Sequence, residues 1–268
     1  MTASALGLAL AAAALHALWN LLLARESDTE ATTAVSLLAF VAALAPLAVA
    51  TWRVEGAALP YIVASGLLEL TYIALLAAAY RRFELSLVYP LARGLAPVLA
   101  LVAVVIAVGA RPSAGEIAVV LAVATGILLI RGIRRSSRGS ALAVAIAGSI
   151  AGYTVVDRYG IRHANAAPYL LLVILAPAVA YPLAVGRARV AAAARPIAMA
   201  IGVASAATYL LVLLALRLAS APSVSAVRET SVVIATALGR AVLREPVGRR
   251  RFAGAVLVVA GVALLALA

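Results

Sequence analysis

The sequence predicts an all-α integral membrane fold: ten transmembrane helices arranged as two inverted five-helix repeats. Three observations lead there. Of 268 residues, 66% are apolar and 12% charged, too few polar side chains to cover a soluble domain of that length. The apolar residues fall in unbroken runs long enough to cross a bilayer, at a mean hydropathy of +1.13. Polar and glycine positions then recur in the same order in the two halves of the chain.

Composition also says what the chain is not. Ala, Leu and Val dominate and aromatics are 5%; small residues let membrane helices approach closely. Strands of a membrane barrel would alternate apolar and polar positions, which these runs do not. Cysteine is absent, excluding disulfides, thiolate metal sites and a cysteine nucleophile. All 22 basic residues are arginine, for a net charge of +12. In a soluble protein that excess suggests nucleic acid. Here the arginines sit mainly in short joins between apolar runs, where they orient membrane helices, so no nucleic-acid partner is expected.

A span needs about 20 mostly apolar residues, and the runs follow in order. The first covers 3–24; it lacks the basic start of a signal peptide and exceeds the ~7–15 apolar residues of one. The second covers 32–52 and contains Pro46. The third, 58–80, starts near Pro60 and stops before Arg81 and Arg82. The fourth, 86–108, contains Pro90 and Pro97; the fifth, 113–131, follows Pro112 and ends in an arginine-rich join. The sixth and seventh cover 140–159 and 167–186, the latter opened by Pro168 and crossed by Pro177 and Pro182. The eighth, 196–216, and ninth, 222–243, open on Pro196 and Pro222; the tenth covers 250–267. Proline is tolerated in a helix's first turn and kinks an interior.

Joins after odd-numbered spans carry fourteen arginines, those after even-numbered spans five: Arg53, Arg111, Arg158, Arg162 and Arg217. The positive-inside rule places the odd joins in the cytoplasm and both termini outside, in a bacterial inner membrane. Duplication shows as Thr71-Tyr72 against Thr208-Tyr209 and Ser86 against Ser223, each 137 apart. Arg93 matches Arg228 and Gly126 matches Gly261, each 135 apart. The halves are residues 1–136 and 137–268. Five spans per half is an odd number, so the halves insert in opposite senses, an arrangement that places a solute site near the midplane between them.

Four ionisable residues lie well inside spans: Glu69, Arg93, Arg228 and Glu229. Each costs about 2.5–3.5 kcal/mol on insertion scales, so each needs a reason. Polar neighbours share helix faces at spacings of three or four: His16, Trp19 and Asn20; Glu69 and Tyr72; Tyr89 and Arg93; Tyr153 and Asp157; Ser205, Thr208 and Tyr209. The functional reading is a central solute site where Arg93 and Arg228 hold a carboxylate through their planar forks, and Glu69 or Glu229 meets an ammonium or carries a coupling proton. The structural reading has Glu229 neutralising Arg228 or Arg93, with His16 packed and hydrogen-bonded and Trp19 and the tyrosines as packing or interface anchors. Asp157, beside Arg158 near a span end, reads as a solvated pair.

The segment SAVRETSVVIATALGRAVLREPVGRRRFAGAVLVVAGVALL, from Ser225, resembles the last two helices of EamA-type members of the drug/metabolite transporter superfamily, and HALWN at 16–20 resembles their start. The turn Leu243-Arg244-Glu245-Pro246 has Arg where that family often has Gly, and Gly109-Ala110-Arg111-Pro112 lacks its Glu. The resemblance implies ten helices in two five-helix repeats and a carrier of metabolites, amino acids or related compounds, often an exporter. The expected function is therefore secondary-active outward movement of small amino-acid-like or organic-anion solutes by alternating access. The alternative is a proton-coupled exporter of cationic drugs or amines. Expected partners are a small solute, the lipid bilayer and protons as coupling ion; both halves in one chain make a monomer sufficient. No metal, cofactor or enzymatic activity is expected: His16 and His163 stand in no His-Glu-x-x-His motif, and neither a P-loop nor a Gly-x-Ser-x-Gly turn occurs.

Overall fold

In the computed structural model the described residues are all but 83–84, 132–136, 244–247 and 268; side chains are described except at 77, 80–90, 130–138, 236, 238–247, 251 and 265–268. The helices are α1 Ala3–Leu23, α2 Thr29–Ala50, α3 Leu59–Arg82, α4 Leu85–Val108, α5 Ala114–Arg131 and α6 Ser137–Gly160, then α7 Ala166–Val185, α8 Arg187–Ala192, α9 Pro196–Leu218, α10 Ala221–Arg228, α11 Thr230–Leu243 and α12 Arg249–Leu267. Among the described residues seven helices are long and apolar enough to cross a membrane, and Ala114–Leu129 and Phe252–Leu264 are shorter apolar stretches.

Each expected span falls on a helix, with two corrections. The ninth is two helices, α10 and α11, parted at Glu229, and the join after the seventh holds the short α8. Local chemistry sets several ends. The side chains of Thr2, Asp28 and Ser220 accept from backbone N–H groups of Ala5, Ala31 and Ser223, satisfying donors that a helix start leaves open. Pro196 opens α9. Gly109 and Gly186, at φ +62° and +94°, follow α4 and α7 in a conformation costly for any residue with a Cβ. The helices run on through Pro46, Pro177 and Pro182.

Packing pairs α5 with α12, α9 with α1 and α2, α3 with α6 and α7, α4 with α6, and α2 with α7. On α1 the buried face is Ala5, Ala9, Ala12, Ala13 and Ala17, spaced three and four so that one stripe meets the neighbour. Large apolar side chains such as Leu67, Ile106, Leu183 and Phe252 point outward, the surface a bilayer solvates.

The joins are tied in two groups. Arg189 donates to Asp28 (2.7 and 2.9 Å) and Glu30 (3.1 Å), and Arg195 to Glu26 (2.6 Å), linking the α1–α2 and α7–α9 joins. The Arg189 bond holds the Asp28 carboxyl below its ordinary range, so the tie lasts until the pH falls below that range. Elsewhere the α2–α3 and α6–α7 joins form an antiparallel bridge at Val54 and Ala164. Nearby, Glu116 accepts from Ser220 and Ser223, joining α5 to the start of α10.

Candidate functional site: a buried polar cluster between the helices

Seven helices bring titratable groups to one buried region. Asp157 on α6 is its most connected member. It is 1% exposed, which corrects the sequence reading of a solvated pair with Arg158. Its carboxylate accepts from Ser65 Oγ of α3 at 2.6 Å, Tyr169 Oη of α7 at 2.9 Å and Tyr209 Oη of α9 at 2.7 Å. An ionised carboxylate offers about four acceptor positions, so three hydroxyls nearly fill it. Glu69, 5% exposed on α3, faces Tyr209 and lies within electrostatic reach of Asp157 and Arg228. Tyr153 stands between Tyr72 and Tyr209, ring centroids 6.2 and 6.0 Å away.

The two arginines 135 residues apart, Arg93 and Arg228, are used differently. Arg93 of α4 is 4% exposed; its Nε donates to Glu229 at 3.0 Å and an outer nitrogen to Ser231 Oγ at 3.2 Å. Glu229 is 2% exposed and occupies the break between α10 and α11. Arg228, its neighbour, is half-buried. Among the described residues no carboxylate forms an ion pair with Arg228; the hydroxyl of Tyr153 is beside it, and Glu69, Asp157 and Glu229 act on it at longer range.

From α1, His16 faces both Arg93 and Arg228 and packs edge-on against Trp19 at 4.8 Å. The Nε1 of Trp19 is buried and has no hydrogen-bond partner among the described residues, an open donor beside His16. Asn20 donates to the backbone oxygen of His16 at 2.7 Å and so turns back onto its own helix. Ser205 and Thr208 likewise bond the preceding turn of α9. The side chain of Tyr89 lies outside those described.

Thus His16, Glu69, Arg93, Arg228, Glu229 and Tyr209 converge, as the helix-face spacings lead one to expect. Ser65, Tyr169 and Ser231 were not singled out in the sequence, and Asp157 was misread. A signal for Asp157 exists: Tyr153 and Asp157 lie 137 residues after His16 and Asn20, the offset that links Thr71-Tyr72 to Thr208-Tyr209.

Membrane-length helices packed around a buried cluster of charged side chains define a polytopic helical membrane protein with a polar interior. Residues 137–267 match the model of the EamA-like transporter family, so the second part of the chain is similar to a family of membrane transporters. A solved structure, named only as the crystal structure of a protein, aligns with 100% of this chain and 98% of its own at 18% identity, with a TM-score of 0.79; at that identity the likeness speaks for the fold. No curated protein matches the chain.

Proposed function

We propose that the chain is a secondary-active carrier, not an enzyme, that moves small amino-acid-like or organic-anion solutes outward by alternating access between two inverted five-helix halves. The observation that carries the solute class is Arg228. Its sister Arg93 is neutralised by Glu229, while Arg228 keeps its planar fork without a paired carboxylate among the described residues and faces buried Glu69 and Asp157. A solute carboxylate fits that fork in bidentate fashion, its ammonium fits Glu69, and the open Trp19 donor adds a third contact. The break at Glu229 sets a helix end beside the site, as discontinuous helices do in carriers.

Packing supports the two-fold arrangement. Exchanging the halves turns the α1–α9 contact into α6–α3, and α2–α9 into α7–α3. A Cβ on Gly66 would meet the Val173 carbonyl, and one on Gly202 the Ser36 carbonyl; both glycines and both carbonyls are related by offsets of 136 or 137.

The test is ligand-induced thermal stabilisation of the purified protein, screened with amino acids, organic acids and lipophilic cations. A ligand at about 100 times its Kd adds about 2.7 kcal/mol to the folded state. Stabilisation by a carboxylate or zwitterion, abolished in Arg228→Ala, is the expected result; retention of that shift in the variant sinks the assignment. A second reading, a proton-coupled exporter of cationic drugs or amines, is favoured by the nearness of two buried carboxylates, Glu69 and Asp157. Stabilisation by lipophilic cations alone selects it.

A further inference from the structure

Away from the central polar cluster, a cavity of about 390 Å³ opens beside the bridge between the α2–α3 and α6–α7 joins, and four arginines line it: Arg53, Arg158, Arg162 and Arg217. We propose that it is a binding site for a phosphate oxyanion, either free or in the headgroup of an anionic phospholipid. This goes beyond the transport reading and does not rest on it.

The first support is where these charges are. The even joins carry five arginines in all, at the end where the positive-inside rule makes basic residues unfavourable if the odd joins are cytoplasmic. Four of the five converge on one cavity, from the end of α2, the end of α6 and the end of α9. Charges spread for orientation would have no reason to share a pocket. The second support is crowding with little compensation. Arg158 and Arg162 are four residues apart and act on one another electrostatically, a spacing at which like charges repel. Among the described residues no carboxylate lines the cavity; the nearby Glu55 pairs with Arg53 alone of the four, at 2.9 Å.

The third support is that the rim is built. Arg217 donates to the carbonyls of Ala164 at 2.6 Å and Ile161 at 3.3 Å. Asn165 bonds the carbonyls of Arg53 through its backbone (2.9 Å) and of Thr51 through its side chain (2.8 Å), and Arg162 lies over the Tyr159 ring at 4.8 Å. Guanidinium groups held in this way are set to form short charge-assisted bonds to several oxygens of one anion. Phosphate suits them because it presents three or more such oxygens, and basic pockets at a membrane surface take phospholipid headgroups by the same chemistry.

The experiment titrates the full chain, purified in a neutral detergent, with sodium phosphate against sodium chloride at matched ionic strength. Parallel titrations use phosphatidylglycerol and phosphatidylcholine in mixed micelles, and retained ligand is read by native mass spectrometry alongside the thermal midpoint. Phosphatidylglycerol binding without a response to free phosphate assigns the site to a headgroup; a response to phosphate assigns it to a free oxyanion, and either sustains the proposal. Arg162→Gln and Arg158→Gln, whose side chains hold no backbone carbonyl, each weaken that binding by roughly tenfold or more, the loss of one charge-assisted contact. Arg111→Gln removes the same charge from an even join outside the cavity and leaves binding unchanged. Binding of neither phosphate nor phosphatidylglycerol, equal retention of phosphatidylcholine, or equal weakening by Arg111→Gln overturns the proposal.

Discussion

Three hydroxyls reach Asp157 from three other helices, and the approach of Tyr169 depends on one small residue. Gly160 lies at the end of α6, where a Cβ would come within 2.6 Å of the Tyr169 ring and hydroxyl and 2.7 Å of Tyr61 Cβ. Tyr169 is 0% exposed. Gly160→Ala is therefore an overpacking change, with an expected cost of about 1–3 kcal/mol; it should also lengthen the Tyr169–Asp157 bond. A thermal midpoint equal to that of the wild type would show that the two helices separate without strain. Sequence spacing found the face that Asp157 shares with Tyr153, yet a carboxylate next to an arginine near a span end looks the same whether solvent or protein surrounds it. The deciding contacts come from Ser65 and Tyr209, 92 and 52 residues away, and no local pattern encodes such distances.

Among the elements, the break between α10 and α11 is where sequence pattern and structure part. Residues 222–243 read as one apolar run, with neither Gly nor Pro at 229. In the structure the N–H of Glu229 bonds Ala226 and that of Val232 bonds Glu229, three residues back at each step, and Thr230 Oγ1 bonds the Val227 carbonyl. Such side-chain bonds compete with the regular ladder, and the Glu229 carboxylate is drawn across to Arg93. The pair therefore ties α4 to the break. Removing one partner of a buried ion pair costs about 3–5 kcal/mol because the other charge is left unmatched, whereas replacing both by apolar residues is often close to neutral. Arg93→Met and Glu229→Leu are each expected to lower stability by that amount, and the double variant to recover most of it. A cycle with coupling near zero would mean that the two charges are solvated independently. Loss of ligand-induced stabilisation in a stable double variant would further show that the pair serves the site as well as the fold.

For the whole molecule, the membrane class was legible because it rests on bulk composition, and the helix positions because apolar runs and arginine-bearing joins are local. The pairing of helices was only partly so. Thr-Tyr, Arg and Gly recurrences are the sequence's ground for the proposed duplication, whereas the close crossings at Gly66 and Gly202 needed the neighbouring carbonyls to give those glycines meaning. Orientation follows from charge. The joins bound together through Arg189 and Arg195 belong to the arginine-rich set, and the bridged joins around Val54 and Ala164 to the poor one. If the arginine-rich end faces the cytoplasm and the chain makes the expected ten crossings, both termini lie on the other side, and the arginine-lined cavity opens there too. Two reporters decide this together. One fused after Ala268 is expected to be active on the extracytoplasmic side, and one inserted in α8 on the cytoplasmic side. Both reporters on the same side would mean that an even number of crossings, not three, lies between α8 and Ala268. An exchange of sides would keep the helix count and reverse the orientation, turning the four cavity arginines into ordinary positive-inside residues and removing the first support for their oxyanion site.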